Sequence, residues 1–360
     1  MKLTTNIKLN CNAEQKKLLT ETLKAFNAAC NYISQKAWGS KTFGQFKLHK
    51  LVYYDVKELF GLNAQMAVRC IAKVAHCYKV NKKTMVKFRQ YSSQPYDSRI
   101  FRLAANDIVS ISTLKSREKI SYQCGDYQKE LMKHRKGEVD LMFINGEFYI
   151  GCVYEIDEQP IIEPEGILGV DLGIVNIAVD SQGTHYSGRD VDIYRKKMAN
   201  RRKNLQKKGT RSAKRKLKKI NRKQERFQKD RNHCISKSIV ATAKRLSFSI
   251  ALENLSGVRN GIKARKSQRA RMSNWGFYQL KSFIQYKAKL LGIPVTEIDP
   301  KNTSRTCPSC NFVDKANRKT RDKFCCKQCG FSESADLVAA WNIQAKAAVN
   351  QPMVTEMVVV

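Results

Sequence analysis

The chain has 360 residues, enough for two or three domains, and carries 67 lysines and arginines against 31 aspartates and glutamates, a formal net charge of +36. So large an excess indicates a polyanionic partner. Nucleic acid fits better than a membrane, because no apolar run approaches the roughly 18 residues that a spanning helix needs. The first residues, MKLTTNIKLN, lack the apolar core of a signal peptide, and most of the twelve cysteines are scattered singly, as is typical of a reducing cytosol.

Helical periodicity dominates the first part of the chain. Residues 2–10 alternate like an exposed strand, and Asn12 and Gln15 then have the spacing of a capping box. Apolar residues at helical spacing follow at Leu18, Leu19, Leu23, Phe26 and Cys30. Because similar spacing continues to about residue 90, we expect one strand followed by a helical region.

The pattern becomes strand-like between about 95 and 160. Two alternating runs within 139–156 are separated by Asn145 and Gly146, a pair that favours a tight β-hairpin. Pro160 and Pro164 then mark a boundary. The first half is therefore predicted to be a helical insert carried on a small β-domain whose first strand precedes the insert.

The second half opens with an apolar strand that contains a charge. In 166-GILGVDLGIVNIAVD-180, Asp171 is surrounded by apolar residues and glycines, at the centre of a predicted core strand. An isolated carboxylate in an apolar interior costs several kcal/mol or more, so it requires hydrogen bonds, a cation or a metal. Gly173, two residues further on, leaves room for a backbone or a phosphate to approach closely.

A strongly basic segment follows, 195-RKKMANRRKNLQKKGTRSAKRKLKKINRKQERFQKDR-231. It contains 19 lysines and arginines and two acids, far more charge than an ordinary solvated helix face carries. A disordered basic tail is the alternative, but the segment lies between two predicted core strands. We expect a helix that lies along a phosphate backbone, with contacts from Arg201, Arg202, Lys214, Arg215 and Lys216.

Two further acids lie in apolar elements later in the chain. Glu253 is near the end of 246-LSFSIALENL-255, and Asp336 precedes a helical face in 334-SADLVAAWNI-343. Alone, Glu253 is explained as a strand-end charge and Asp336 as an acid in the first turn of a helix. Together with Asp171 they form a set of three carboxylates. Such a set suits two Mg²⁺ ions about 4 Å apart, which hold the attacking and leaving oxygens of a phosphodiester.

A cysteine cluster lies in 307-CPSCNFVDKANRKTRDKFCCKQCG-330. Two Cys-x₂-Cys pairs separated by fifteen residues have the spacing of a zinc ribbon, and the four expected ligands are Cys307, Cys310, Cys326 and Cys329. Cys325 is a rival to Cys326. Gly330 follows the second pair, where a positive φ is usual, and Asn311 can serve after the first. Two disulfides are the alternative, which is poor for a cytosolic chain.

The order of these motifs resembles the TnpB family, the transposon-encoded RNA-guided nucleases of OrfB type that are related to type V CRISPR effectors. The resemblance is carried by GVDLGIVNIAV (169–179), ALENLSGV (251–258), WGFYQLKSFIQYKAKLLGIPVTEIDPKNTSRTCPSC (275–310) and FCCKQCGFSESADLVAAWNI (324–343). It covers about 165–345 specifically and the first half by arrangement only. Val338 departs from the pattern D-x-N-A-A-x-N-I of many members, in which that position is the first Asn.

The resemblance implies a multidomain α/β protein. An RNase H-like RuvC nuclease core, with an inserted basic helix and a zinc ribbon, would follow a β-barrel wedge domain that carries a helical recognition insert. The implied divisions are the first wedge strand at 1–10, the recognition domain at 11–95, the rest of the wedge at 96–164, the nuclease core at 165–300 with the basic helix at 195–231, the zinc-ribbon target-binding module at 301–332, the third nuclease motif at 333–349 and a flexible tail at 350–360.

The resemblance also implies an activity, an RNA-guided and metal-dependent DNA endonuclease that acts next to a short flanking motif. Asp171, Glu253 and Asp336 would be the catalytic carboxylates and would hold two Mg²⁺ ions, beside one structural Zn²⁺. The implied partners are a guide RNA derived from the transposon end and double-stranded target DNA. The protein would be a monomer with its RNA, in a prokaryotic cytoplasm and associated with the nucleoid.

Two further segments are candidates for roles in this activity. Gln65 and Arg69 lie one helical turn apart, and their amide and guanidinium groups can bond bidentately to base edges of the flanking motif. Ordinary exposed polar residues of a helix are the alternative. The basic loop 257-GVRNGIKARKSQRARMS-273 is a candidate lid over the carboxylates.

Other functions remain open at this point. One alternative is a guided but non-cutting DNA-binding repressor, against which the three intact carboxylates argue. Others are an unguided RuvC-like nuclease such as a junction resolvase, or an unguided zinc-ribbon DNA-binding protein. The helical insert in the first half and the two basic modules exceed what a resolvase requires, which argues against it. A DNA-strand-transfer transposase also uses an RNase H core, but the family motifs disfavour it.

Overall fold

The chain folds into two units, Met1–Asp157 and Glu158–Val360, seen here in a computed structural model that describes residues 1–255 and 276–349. The expected tail at 350–360 and the candidate lid at 257–273 lie outside the described residues. Within the described ranges, no helix is both long enough and apolar enough to cross a membrane.

Three helices follow the first strand of the N-terminal unit, and they are α1 at Ala13–Gly39, α2 at Gln45–Phe60 and α3 at Ala64–Val80. The predicted capping box is confirmed, since the Asn12 side chain accepts from the Gln15 amide at 2.8 Å and the Gln15 side chain accepts from the Asn12 amide at 3.2 Å. The predicted apolar face is buried at Leu19, Leu23, Phe26 and Cys30 and half-buried at Leu18. The helical spacing therefore marks the side of α1 that faces the core.

A seven-stranded antiparallel sheet completes this unit, in the order β2-β6-β7-β1-β5-β4-β3. Its elements are β1 at Lys2–Leu9, β2 at Gln94–Tyr96, β3 at Phe101–Ala104, β4 at Ile108–Ser112, β5 at Arg117–Gln123, a short helix α4 at Asp126–Met132, β6 at Arg135–Ile144 and β7 at Glu147–Glu155. The predicted alternation is confirmed, with Lys2, Thr4 and Asn6 exposed, and β1 lies inside the sheet between β7 and β5. Its alternation reflects one buried face, with Ile7 and Leu9 in the core.

The hairpin of β6 and β7 is confirmed. Asn145 and Gly146 have φ values of 56° and 86°, and Ile144 pairs with Glu147 directly across the turn. Positive φ at both central residues is what a two-residue turn with the correct twist requires.

The C-terminal unit is built on a five-stranded sheet in the order β10-β9-β8-β11-β12. Its strands are β8 at Gly166–Asp171, β9 at Asn176–Asp180, β10 at His185–Ser187, β11 at Phe248–Glu253 and β12 at Val295–Ile298. β8, β9 and β10 are antiparallel, whereas β11 runs parallel to both β8 and β12. Strands with parallel neighbours are normally buried on both faces, which explains the unbroken apolar runs of β8 and β11.

Helices cover both faces of this sheet. Two of them, α6 at Arg211–Arg245 and α7 at Phe277–Leu290, pack on one face, and α8 at Ala335–Val349 packs on the other. The first core contains Leu168, Val170, Ile250 and Leu252 with the helix residues Ile239, Leu280 and Ile284. The second contains Ile167 and Ala251 with Ile343 and Ala347. Consecutive strand residues thus serve different cores, as the pleat of a strand requires.

The basic segment is a helical hairpin rather than one helix, so the prediction of a single helix over 195–231 is wrong. α5 at Arg189–Lys208 ends before Gly209, whose φ is 63°, and Thr210 caps the start of α6. The rings of Tyr194 and Phe227 stack at 4.4 Å, which places the two helices side by side. A glycine after a helix and a threonine N-cap before the next are recognised stop and start signals.

Gly169 sets how closely α8 approaches β8. A Cβ atom built there would lie 2.2 Å from the carbonyl oxygen of Ala340 and 2.7 Å from the amide nitrogen of Gln344, both backbone atoms of α8. Only glycine permits this approach, because the helix backbone cannot yield as a flexible side chain can. The contact holds the helix that carries Asp336 against the strand that carries Asp171.

The variant Gly169→Ala is expected to lose about 1–3 kcal/mol of unfolding free energy, because the added methyl group forces α8 away from the sheet. Chemical denaturation of wild type and variant measures the loss. Gly125→Ala is a suitable control, since a Cβ atom there meets nothing within 4 Å. Equal stability of Gly169→Ala and wild type would contradict the prediction.

Candidate metal centres

Two of the predicted carboxylates lie at the carboxyl ends of neighbouring parallel strands. β8 ends at Asp171 and β11 ends at Glu253, and the register pairs Val170 with Leu252 immediately before them. The two acids therefore emerge at the same edge of the sheet. The prediction that Asp171 lies at the centre of its strand is wrong, because the chain leaves β8 there and turns directly back into β9.

Side-chain alternation turns both acids towards α8. Ile167 and Ala251 pack against that helix, and Asp171 and Glu253 lie an even number of residues further along the same strands. Asp336 lies in the first turn of α8. The structure thus brings together three acids that are widely separated in sequence.

The three acids act on one another electrostatically. Burial and the charges of Glu253 and Asp336 raise the pKa of Asp171 to about 8, against the opposing charge of Arg318. Part of Asp171 remains accessible to solvent, but protein surrounds its carboxyl group. Burial also raises the pKa of Glu253, which is 8% exposed. Buried like charges of this kind are stabilised by a cation, and their hard oxygen donors fit Mg²⁺.

The cysteines are the clustered set of potential ligands. Among residues 1–255 and 276–349, the four cysteines form the one group of three or more potential ligands whose donor atoms all lie within 4.8 Å of one another. Asp336 forms an ion pair with Arg318 at 3.3 Å.

Two side chains hold Asp336, and the sequence analysis identified neither. Asn176, the first residue of β9, donates from Nδ2 to Asp336 Oδ2 at 2.9 Å, and Arg318 donates from Nη2 to Oδ1 at 3.3 Å. The same Arg318 nitrogen donates to the carbonyl oxygen of Arg321 at 2.9 Å, which fixes the guanidinium. Arg318 ends a 3₁₀ helix, Lys315–Arg318, inside the cysteine region. Among the many cations of that region, nothing in the sequence distinguishes it.

A second pair of polar residues lies beside Glu253. Thr303 Oγ1 donates to Glu253 Oε1 at 2.5 Å, and Asn342 Nδ2 donates to the carbonyl oxygens of Thr303 at 2.7 Å and Thr306 at 2.8 Å. Thr303 and Asn342 are both buried. Both residues stand in stretches that carry the family resemblance, 275–310 and 324–343, but neither was predicted to contact a carboxylate.

The raised pKa of Asp171 predicts how stability depends on pH without Mg²⁺. Between the ordinary value of 3.8 and about 8, the folded state holds a proton that the unfolded state releases. Stability therefore falls as pH rises through this window, and the loss is complete above about pH 8. Asp171→Asn cannot ionise, so its unfolding free energy should exceed that of wild type by a margin that grows with pH, to on the order of a few kcal/mol.

Denaturation of both proteins at several pH values, with zinc retained and Mg²⁺ withheld, measures this margin. Adding Mg²⁺ should narrow it, since the cation stabilises ionised Asp171 only in the wild type. A margin that does not change with pH would contradict the prediction.

The cysteine cluster has the arrangement of a metal site. The four Sγ atoms of Cys307, Cys310, Cys326 and Cys329 lie within 4.8 Å of one another. Cys325 is exposed at the end of β13, Lys323–Cys325, and lies outside the group. The cluster can therefore hold a metal ion such as zinc, for which four thiolates are a usual ligand set.

The two cysteine pairs sit on matching turns. The amides of Asn311 and Gly330 donate to the carbonyl oxygens of Cys307 and Cys326 at 3.0 and 3.2 Å. Asn311 and Gly330 have φ values of 59° and 76°, so the positive φ predicted at both positions is confirmed. The Cys329 amide also approaches Cys326 Sγ at 3.5 Å.

Val338 has a packing role that explains an apolar residue at this position. It is fully buried in a small core around the cysteines. That core contains Cys307, Phe324, Cys326, Ala335 and Val338. Val338 thus joins the first turns of α8, which carry Asp336, to the cysteine region.

A backbone approaches Gly173 closely, as expected. A Cβ atom there would lie 2.5 Å from the carbonyl oxygen of Asn176, in the same tight connection between β8 and β9. The approach expected of a backbone or a phosphate thus comes from the backbone of the glycine's own hairpin.

The candidate phosphate-binding residues lie on the helical hairpin. Arg201, Lys214, Arg215 and Lys216 are exposed, whereas Arg202 is half-buried and donates to Gln224 at 2.9 Å. The exposed four can accept a polyanion without first breaking a contact recorded in the structure.

The candidate base-reading residues are engaged inside the N-terminal unit. Gln65 donates to Asp97 and accepts from Arg99 at 3.1 Å. Arg69 forms an ion pair with Glu138, and both candidates are half-buried. Base reading by these two side chains stays a prediction, and it would require them to exchange these partners.

Comparisons with known proteins show two regions of similarity. A family model described as "Probable transposase", of OrfB type, matches residues 152–256. A TnpB-like protein of Methanocaldococcus jannaschii is 28% identical over 270 residues, which is 69% of this chain and 93% of that protein. The chain is thus similar to TnpB-like proteins. A second family model, the TNB domain of Cas12f1-like proteins, matches residues 277–343 and contains the cysteine cluster.

CRISPR-associated nucleases are also similar to this chain. The endodeoxyribonuclease Cas12f1 of Syntrophomonas palmitatica is 27% identical over 217 residues, which is 55% of this chain and only 43% of that enzyme. A solved Cas12f1–sgRNA–target DNA complex aligns over 96% of this chain and 99% of that chain, at 18% identity and a TM-score of 0.42.

Proposed function

We propose that the protein is the RNA-guided DNA endonuclease of a transposon, and that it hydrolyses target DNA by two-metal-ion catalysis next to a short flanking motif. The observation that carries the proposal is the convergence of Asp171, Glu253 and Asp336 at one edge of the C-terminal sheet. The similarity to enzymes named as endodeoxyribonucleases supports it.

The proposed nuclease core is of the RNase H-like RuvC type and spans 165–300 and 333–349. Three antiparallel strands followed by two parallel ones, with helices on both faces, support this assignment. The hairpin of α5 and α6 is an insertion between β10 and β11. In the N-terminal unit, the strands at 1–10 and 96–164 would form the wedge and 11–95 the recognition insert.

The proposed chemistry assigns a role to each acid. Asp171 would bind both Mg²⁺ ions and Glu253 one of them, while Asp336 would bind the other or help to orient the attacking water. When bound, the ions supply charge stabilisation to the attacking and leaving oxygens of the phosphodiester. Arg318 and Asn176 would keep the Asp336 carboxylate oriented, since each donates to one of its two oxygens.

The cysteine region at 301–332 would be a zinc ribbon that binds target DNA. Four thiol groups on two matching turns form a closed ligand set with no position left for substrate. The zinc would accordingly be structural, and the hydrolytic chemistry would belong to the carboxylates.

The proposed partners are a guide RNA from the transposon end and double-stranded DNA, with the protein acting as a monomer on its RNA. Base pairing by the guide would select the sequence, while the protein would recognise duplex shape, charge and the flanking motif. The charge of +36 supports such a role, since two polyanions must be bound at once.

Sequencing of RNA that co-purifies with the protein tests the proposal. We expect one RNA species with a constant scaffold and a variable end. The complex should then cut DNA that matches the variable end, in the presence of Mg²⁺. Absence of bound RNA would refute guidance, and bound RNA without any cleavage would favour a guided repressor instead.

Neutralising the exposed cations of the helical hairpin should weaken nucleic-acid binding. The variant with Arg201, Lys214, Arg215 and Lys216 changed to glutamine is expected to have a shallower dependence of log K on log salt, by up to about 0.9 per lost phosphate contact on a duplex. Binding titrations at several salt concentrations measure the slope. An unchanged slope in the hairpin variant would show that the hairpin faces solvent.

A further inference from the structure

We propose that Thr303 and Asn342 are positioning residues that orient Glu253 for metal binding and tie it to the cysteine cluster, an inference that rests on the proposed nuclease function. Neither residue belongs to the proposed metal-ligand sets. Both are buried, at 3% and 6% exposure, so their hydrogen bonds are shielded from competing water.

The hydroxyl group of Thr303 has two acceptors within reach. Its Oγ1 lies 2.5 Å from Glu253 Oε1 and 2.9 Å from the carbonyl oxygen of Pro300. A hydroxyl group has a single hydrogen to donate. When Glu253 is ionised, as a metal ligand must be, the charged acceptor makes the stronger bond and takes that hydrogen. One carboxylate oxygen is then fixed, and the other is left for a cation.

Asn342 fixes the backbone from which Thr303 acts. Its Nδ2 bonds the carbonyl oxygens of Thr303 and Thr306, and Thr306 directly precedes Cys307. One turn further along α8, Lys346 donates to the carbonyl oxygens of Asp299 and Lys301. The same helix that carries Asp336 therefore holds the loop that runs from the end of β12 to the first cysteine.

The orientation of Glu253 therefore depends on the loop 299–306. Helix α8 holds this loop through Lys346 at its start and through Asn342 at its end. Without the hydroxyl group, the carboxylate loses the donor that fixes Oε1, and ordering it costs part of the metal-binding free energy. Groups that orient metal ligands in this way typically change metal affinity by about 10–100-fold when they are removed.

The experiment measures Mn²⁺ binding to the zinc-loaded full chain with its RNA, by the loss of the free Mn²⁺ signal in electron paramagnetic resonance. Thr303→Val keeps the branched shape and removes the hydroxyl group, and we expect Mn²⁺ affinity to fall by about tenfold or more. Thr303→Ser restores the donor and should bind Mn²⁺ nearly as wild type does. Asn342→Ala should weaken binding in the same direction while zinc content stays unchanged.

Ser249→Ala is the matched control, because it removes a buried hydroxyl group from the same strand as Glu253, where Ser249 bonds only the Gly166 carbonyl oxygen at 3.2 Å. It should bind Mn²⁺ as wild type does. Wild-type affinity in Thr303→Val, or an equal loss in Ser249→Ala and Thr303→Val, would overturn the proposal. These outcomes differ from failure of the nuclease assignment, which would appear as cleavage that survives Asp171→Ala.

Discussion

Asp171→Ala is expected to abolish DNA cleavage while guide RNA and target DNA remain bound almost as tightly as before. Asp171 is the acid whose pKa is raised by both of the others, so it lies within electrostatic reach of each. On the proposed two-metal mechanism, removing this ligand should cost several kcal/mol of transition-state stabilisation, so the rate should fall by at least about 10³-fold. Binding should even tighten slightly, because a negative charge near the phosphates is lost.

Cleavage and binding must be measured side by side on the same preparation. Asp190→Ala is the control, because Asp190 is an exposed acid at the start of α5, 71% accessible and 3.8 Å from Arg231. It should cut as wild type does. If Asp171→Ala retained cutting, the nuclease site would lie elsewhere, and if it lost binding and cutting together, the carboxylate would serve folding rather than chemistry.

The three acids could be predicted from the sequence because each stands in an otherwise apolar element. A buried charge in such an element costs free energy unless it has a partner. Asp171, Glu253 and Asp336 were predicted together because a shared metal site would account for all three charges. The residues that hold them could not be predicted. Arg318 is one cation among many in its segment, and Thr303 is one hydroxyl group in a polar loop. Their importance arises from the fold, which returns the chain to the same edge of the sheet three times.

The glycines also show that local sequence does not indicate contacts between distant elements. A close approach was expected at Gly173, where the backbone of its own hairpin provides it, but the close approach of a helix occurs at Gly169, beneath α8. Both residues stand in one short run, and nothing local indicates which will meet a helix that begins more than 150 residues later. By contrast, the break between α5 and α6 could have been predicted, because Gly209 and Thr210 are ordinary helix stop and start signals.

Removal of zinc is expected to affect both centres, because the cysteine core and the carboxylates share α8. Val338 packs with Cys307 and Cys326, while Asp336 lies two residues earlier on the same helix. Structural zinc sites of this kind contribute folding free energy directly. A protein stripped of zinc should therefore lose the order of the cysteine region and, with Arg318 no longer held against Asp336, most of its DNA cleavage.

A pair of adjacent cysteines provides the decisive test of this expectation. Cys326→Ser removes a thiol whose Sγ lies 3.6 Å from that of Cys310, inside the cluster, whereas Cys325→Ser changes an exposed thiol outside it. Metal analysis should find one zinc per chain in wild type and in Cys325→Ser, and far less in Cys326→Ser. Thermal unfolding should show a lower melting temperature for Cys326→Ser only, with a loss of cleavage to match. The reverse result, zinc lost with Cys325→Ser and kept with Cys326→Ser, would mean that the second turn of the ribbon is shifted by one residue from the arrangement described here. Full cleavage without zinc would show that α8 holds Asp336 in place by its packing on β8 alone.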